Sequence, residues 1–495
     1  MTWIDLSVKT KIMKQQISLL IISITFLFAA ISCQTAPEPD GNGLPKPKNI
    51  IYFVSDGMGY NHLLATNYFQ HGEAGMQVFE QDDWVHLAQA THNLGRVSGS
   101  DTIFTNGYAP RNAWEDKQYV MYDYTDSGAA ATALSTGSKN LRSHLGIDID
   151  GDTLTHVSQA AKALGKSIGV VSSVPFSHAT PAGFVVHNSS RHNYGEIARY
   201  MLFHTRLDVI MAPGHPFYND NGKRSEEPSY RYVGSEAVWE QIASNEGLTE
   251  IADDENVYFV QDVDGNGVRD PWTFIDARED FVALASGPAP GRVFGVPKVR
   301  STLNQGRHRD EMAEMPFAQP FNENVPTLEE MTRASLNVLG QNNKGFFVMV
   351  EGGAVDWASH DNHLGRVVEE QIDFNNAVIA AVEWVEANSS WDETLIIVTS
   401  DHECGYLTGP NHPDPVNEPV VNRGQGNLPE AQWNSTSHTN MLVPFYAKGP
   451  GADLFNTFAG EKDPVLGPFL HNTDIANTIF LMWGKPEIEI HRLTY

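Results

Sequence analysis

Four stretches of this 495-residue chain hold side chains that can bind metal or attack an electrophile. Residues 124–137 read Tyr-Thr-Asp-Ser-Gly-Ala-Ala-Ala-Thr-Ala-Leu-Ser-Thr-Gly. The alanine run favours a helix, and Gly137 is a suitable stop. Ser127 therefore falls at a helix N-terminus. It can be a cap, or a nucleophile whose alkoxide and incoming phosphate the terminal amides stabilise. Residues 351–360 read Glu-Gly-Gly-Ala-Val-Asp-Trp-Ala-Ser-His. Asp356 and His360, four apart, share one face of a helix, and a carboxylate with an imidazole suits zinc. The alternative is a solvated helical pair, which Glu351 at a strand end makes less attractive. Asp401-His402 puts two ligand types side by side. Ser435-Thr436-Ser437-His438-Thr439 offers a further imidazole in a polar loop, where a lone histidine is also compatible with a structural role.

Strands must bring these groups together. Residues 49–54 form a buried-type strand ending at Ser55-Asp56-Gly57. Residues 167–172, 345–350 and 394–399 are further apolar strands, the last two ending at Glu351 and at Asp401-His402. Helical patterns alternate with them: residues 155–164, and a helix opened by the capping box Thr327-Leu328-Glu329-Glu330 and running towards Leu339. This alternation argues for an α/β layered fold with a largely parallel sheet. Asp56, Glu351 and the Asp401-His402 pair each follow the carboxyl end of a strand, the edge at which open α/β sheets bind ligands.

Taken in order, these pieces resemble the alkaline phosphatase family: Phe53-Val54-Ser55-Asp56-Gly57-Met58-Gly59, Asp-Ser before an alanine helix, Glu-x4-Asp-x3-His, Asp-His after a strand, and a late Thr-x-His. The resemblance covers roughly residues 49–480. It implies a three-layer sandwich with a large, mostly parallel central sheet between helices. It implies two zinc ions and one magnesium ion: Asp356, His360 and His438 on the first zinc; Asp56, Asp401, His402 and Ser127 on the second; Asp56, Glu351 and Thr180 on magnesium. Arg191 matches the arginine that grips phosphoryl oxygens, and Asp126 could orient it. The implied reaction is hydrolysis of a broad range of phosphate monoesters at alkaline pH through phosphoserine. A well-known bacterial member has aspartate where His178 stands and lysine where Trp357 stands. His178 could favour a softer third metal, and Trp357 should weaken phosphate binding. The family commonly forms dimers, which allows a homodimer here, although no stretch marks an interface.

Two rival readings remain open on sequence. One is a phosphodiesterase or sulfatase of the same superfamily. The sulfatase C/S-x-P-x-R setting is absent, and Glu351, Thr180 and Arg191 together favour monoesters. The other is a non-catalytic surface lipoprotein that binds divalent ions, which would have no need of Ser127 or Arg191.

Composition bounds the rest. With 41% hydrophobic and 19% charged residues the chain is globular, and 33 Lys+Arg against 61 Asp+Glu give a formal charge of −28. Such a chain should repel nucleic acid. Two cysteines, Cys33 and Cys404, exclude an intrachain disulfide framework as the main support. Lys9, Lys11 and Lys14, an apolar run from Ile17 to Ala30 and then Ile31-Ser32-Cys33 read as an export signal. Its end resembles a bacterial lipoprotein box, which would lipidate Cys33 and place the protein in the periplasm, at the outer membrane or at the cell surface; the alternative is ordinary cleavage nearby. Residues 34–48 read as a tether, 49–495 as the catalytic domain, and about 205–325 as an insertion. Asp262, Asp264, Asn266 and Asp270 have the spacing of an EF-hand-type loop without its final glutamate, so a structural calcium ion competes with an acidic surface turn. Asp148 to Asp152 reads as a hairpin turn, and Cys404, two residues beyond His402, as a small buried residue in preference to a zinc ligand.

Overall fold

Burial on both faces of the first strand sets up the architecture. In β1 (Asn49–Val54) Ile50, Tyr52 and Val54 enter one hydrophobic cluster, and Ile51 and Phe53 enter another. A strand buried on both faces needs a helical layer on each side. The computed structural model describes residues 43–97, 100, 102–105, 107–253 and 255–485. The signal segment 1–33, Cys33 and residues 34–42 lie outside the described residues. A compact unit starts at Lys46; of the unit before it only residues 43–45 are described, and they hold no helix or strand. Lys46, Pro47 and Lys48, expected in the tether, thus belong to the compact unit. The Pro47 carbonyl accepts from the Trp483 indole at 2.8 Å.

Eleven strands form the central sheet. In chain order they are β1, β2 (Val85–Ala90), β3 (Ser167–Ser172), β4 (Val209–Met211), β5 (Thr273–Ile275), β6 (Val293–Gly295), β7 (Phe346–Glu351), β8 (Thr394–Thr399), β9 (Val443–Lys448), β10 (Glu461–Asp463) and β11 (Gly467–His471). Across the sheet the order is β10-β11-β2-β9-β8-β1-β7-β3-β4-β6-β5. From β8 to β5 all neighbours are parallel, and antiparallel pairing enters only around β9 and between β10 and β11. The sheet is therefore mixed and mostly parallel. The segment expected as an insertion supplies β4, β5 and β6, so it extends the sheet as well as packing on it.

Helices cover both faces. α1 (Tyr60–His71) follows the loop after β1. α2 (Ser127–Thr136) and α6 (Asn472–Trp483) pack on one side of the sheet, through Ala131, Leu134, Ile475 and Ile479. On the other side lie α3 (Leu328–Leu339) and α5 (Leu364–Asn388), through Met331, Ala334, Phe374 and Val378. Short α4 (Ala354–His360) joins β7 to α5. The box expected at Thr327 forms: Thr327 Oγ1 accepts from the Glu330 amide at 3.1 Å, and Glu330 Oε2 from the Thr327 amide at 3.0 Å.

Two smaller expectations have local outcomes. Ile147 and Thr153 bridge antiparallel around the Asp148–Asp152 turn. In the loop starting at Asp262 the carboxylates turn onto the loop's own amides. Asp262 accepts from Gly265 at 2.7 Å and Gly267 at 2.8 Å, and Asp270 accepts from Val263 at 2.8 Å. Ligand oxygens of Asp262, Asp264 and Asp270 lie within 4.8 Å of one another, a spacing common to cation sites and acidic turns.

Candidate active site

Parallel pairing places the ends of β1, β7 and β8 at one edge. Val54 sits between Glu351 and Thr399 in register, so Asp56, Glu351 and Asp401-His402 emerge side by side. Gly57 allows the tight turn after Asp56. Its φ is +81°, and a Cβ there would lie 2.7 Å from Asp356 Cα. The β1 loop and α4 can approach only because that position carries no side chain.

Ser127 is the first residue of α2, but it is not the cap. That role falls to Asp126, whose Oδ1 accepts from Ala129 N at 3.2 Å and Ser143 N at 3.0 Å. The cap reading of Ser127 is thus corrected by one position, which frees its hydroxyl. Ser127 Oγ lies 3.2 Å from His402 Nε2, which in turn stands 3.2 Å from Asp401 Oδ2 and 3.5 Å from Asp56 Oδ1. Thr180 Oγ1 donates to Asp56 Oδ2 at 3.4 Å, and Ser172 donates a short hydrogen bond to Glu351.

The second cluster adjoins the first. Asp356 Oδ2 lies 3.3 Å from His360 Nε2 and its Oδ1 3.4 Å from His438 Nε2. The His438 and His402 rings stack with centroids 3.5 Å apart. His360 Nδ1 donates to the Thr436 carbonyl at 2.6 Å, and His438 Nδ1 to the Thr125 carbonyl at 2.9 Å. A carbonyl can only accept, so both rings carry their proton on Nδ1. Their Nε2 atoms then face each other at 3.2 Å with lone pairs turned inwards. Only a proton or a cation can satisfy that arrangement, which is how metal-binding imidazoles are oriented.

Charge in the pocket leads to the same requirement. Burial, with Asp401, Asp356 and Glu351 nearby, pushes the Asp56 carboxyl well above the usual range. Burial also lifts Glu351 to about 8 and Asp401 to about 6. Burial would raise Asp356 too, but His360 and His438 hold it well below. His360 goes to about 9: burial opposes its charge, and Asp356 outweighs burial. Asp56 Oδ1, Glu351 Oε1, Asp356 Oδ1, Asp401 Oδ2 and His402 Nδ1 are buried with no hydrogen-bond partner. Burying several carboxylate charges together is costly unless cations compensate them. This donor set of carboxylates and imidazoles fits divalent ions of the zinc and magnesium classes.

Arg191 supplies the fixed positive charge. Its Nη1 donates to Asp126 Oδ2 at 3.0 Å, and its backbone N–H to the Ser143 carbonyl at 2.8 Å. Burial would raise the Asp126 carboxyl, but Arg191 and the amides hold it below its usual value. His178 is buried, with its ring centroid 5.6 Å from that of Trp357. Burial, then Arg191, lowers its pKa to about 3, so the ring is neutral.

Hydrogen bonds, ion pairs, ring contacts and strand register thus gather the expected site residues, apart from the Asp262 loop, at one sheet edge. Sequence reading missed Ser172 and the carbonyls of Thr125 and Thr436. Backbone acceptors leave no mark in side-chain patterns; Ser172, the last residue of β3 and paired with Glu351, was findable from strand register.

The chain is similar to known proteins along most of its length. The family model described as "Alkaline phosphatase" matches residues 47–457. Alkaline phosphatase 4 of Bacillus subtilis (strain 168) is 26% identical, covering 88% of this chain and 89% of its own length. Alkaline phosphatase of Escherichia coli (strain K12) is 28% identical, covering 85% and 84%. The crystal structure of a cold-active alkaline phosphatase from a psychrophilic Shewanella sp. superposes with a TM-score of 0.59. It is 26% identical and covers 88% of this chain and 99% of that one.

Proposed function

Because the chain belongs to the alkaline phosphatase family and is a phosphatase, we propose that it hydrolyses phosphate monoesters at alkaline pH through a phosphoserine at Ser127. The ions we assign are two zinc and one magnesium. Asp356, His360 and His438 would hold the first zinc; Asp56, Asp401, His402 and Ser127 the second; Asp56, Glu351 and Thr180 the magnesium. When bound, these ions ionise hydroxyl groups and neutralise charge on the attacking and leaving oxygens.

The chain's own residues do the rest. Ser127 Oγ forms a bond to phosphorus as the ester P–O bond breaks and the alcohol leaves; water then displaces Ser127 and releases phosphate. The amides at the start of α2 face the phosphoryl group with the positive end of the helix dipole. Arg191 presents a planar fork to two nonbridging oxygens, and Asp126 holds that fork while capping the helix. Thr125 and Thr436 keep His438 and His360 in the tautomer that offers Nε2. Glu351, with its carboxyl at about 8, gives up its proton to solvent in exchange for a cation more readily as pH rises, which suits an alkaline working range.

The observation that carries this reading is Ser127 Oγ, freed from capping, 3.2 Å from His402 Nε2 beside two buried carboxylates. The substrate class is tested by comparing p-nitrophenyl phosphate with bis-p-nitrophenyl phosphate, before and after chelation. Preference for the monoester, lost on chelation and restored by zinc with magnesium, is expected. Preference for the diester would favour the phosphodiesterase reading instead. On the basic-then-apolar segment ending at Cys33 we also assign export and lipid anchoring, tested by labelling cells with a palmitate analogue.

A further inference from the structure

Cys404 occupies a position that the reaction as proposed leaves unused. It lies in a two-residue ladder in which residues 403–404 pair antiparallel with 438–439, and Cys404 stands directly opposite His438. Directly opposed residues project to the same face of such a ladder. Glu403 and Thr439, the neighbouring pair, project to the other face, where they hydrogen-bond to each other. Strand pairing therefore sends the thiol to the side where His438 Nε2 points. The Cys404 amide is fixed as well, donating to the Gly57 carbonyl at 3.1 Å.

From its own side α4 brings Asp356 and His360 to the same place. One ligand atom each from Asp356, His360, Cys404 and His438 all lie within 4.8 Å of one another. Cys404 is fully buried. Asp356 is 5% exposed, and its Oδ1, buried without a hydrogen-bond partner, lies 3.4 Å from His438 Nε2. One carboxylate, two imidazoles and one thiol, with only His360 reaching solvent, form a four-donor set of the kind zinc takes in tetrahedral sites.

We propose that Cys404 is a fourth protein ligand of the first metal ion, one that closes its coordination in the resting enzyme and biases that position towards soft divalent ions. The inference rests on the metal centre proposed above. On binding, the sulfur lone pair bonds to the ion in place of a water molecule, and the S–H proton passes to solvent. Thiolate favours zinc and cadmium over magnesium or manganese. A catalytic ion ordinarily keeps one position open. A resting site closed by Cys404 would therefore hold its ion more firmly than an open one. Slow metal loss is the expected gain.

Cobalt(II) tests this with a readout independent of turnover. The full chain is stripped with chelator, reloaded with cobalt, and its metal content and absorption measured. A thiolate on cobalt produces a sulfur-to-metal charge-transfer band in the near ultraviolet. The chain has only two cysteines, so the band is expected in wild type and in Cys33→Ser, and lost in Cys404→Ser and Cys404→Ala. Release of zinc to chelator, followed by metal analysis, is expected to quicken in Cys404→Ser by about tenfold or more, the scale that even an outer hydrogen-bond partner contributes. Cobalt bound and activity restored, but no band in wild type or Cys33→Ser, would overturn the role of Cys404 and leave the metal centre standing. A band that survives in a folded Cys404 variant would do the same. Failure to take up cobalt at all would overturn both.

Discussion

Ser127 and Arg191 illustrate how one small residue, Asp126, divides two tasks. By taking the cap and the guanidinium together it leaves Ser127 free and Arg191 fixed. Ser127→Ala is expected to cut kcat by roughly a thousandfold or more, well beyond any zinc lost from the second position, which metal analysis in parallel measures. Unaltered phosphate release would favour the non-catalytic, ion-binding reading. Arg191→Ala removes two charge-assisted hydrogen bonds and leaves Asp126 unpaired. A loss of roughly 10- to 100-fold in kcat/KM, with weaker phosphate inhibition, is expected from interactions of about 1.5–3 kcal/mol. Trp357 adds no charge beside His178, so Trp357→Lys should tighten inhibition by product phosphate; unchanged inhibition would count against that role.

Among the elements, the turn after β1 is the most exposed to a single substitution. Gly57→Ala would put a methyl carbon 2.7 Å from Asp356 Cα at a φ of +81°. The strain, about 1–3 kcal/mol, would be relieved by moving α4 away from the β1 loop. Asp356 and His360 would move with it, so retained zinc should fall together with the melting temperature. Full zinc content in a folded Gly57→Ala protein would contradict the argument. Legibility in the sequence also divides at this scale. The ends of β1, β7 and β8 could be read because buried parallel strands are continuous apolar runs with an abrupt polar end. Sequence alone leaves Ser127 open between cap and nucleophile because Asp and Ser cap equally well and only the hydroxyl's direction separates them. The sheet strands within 205–325 could not be read, since β4, β5 and β6 are three residues each. For Cys404 the sequence offers a zinc ligand only as the lesser alternative to a small buried residue, and its pairing with His438 is what shifts the balance.

Taken as a whole, the molecule buries acid in two places, at the site and along α5. Beside the site, burial raises Glu351 to about 8 and Asp401 to about 6; at α5, burial raises Glu370 to about 8 and Asp373 to about 7. Each of these carboxyls has a folded value above its unfolded one, so the folded chain holds protons that the unfolded chain gives up. That contribution is fully present below about pH 4 and is lost as pH rises through 6 to 8. Metal-free protein should therefore melt at progressively lower temperature between pH 5 and pH 9, helped by repulsion within a chain of formal charge −28. Zinc and magnesium compete with the protons on Glu351 and Asp401, so the loaded protein should show a flatter profile and release protons on loading. Equal slopes for both forms would mean that the ions do not sit among these carboxylates. The most direct measurement is of the covalent step itself. Enzyme mixed with a phosphate monoester and quenched in acid is digested and its peptides mapped. Phosphate on Ser127, absent after chelation and absent from Ser127→Ala, is expected. Active enzyme that carries the phosphoryl group on another residue, or on none at any quench time or pH, would contradict the account.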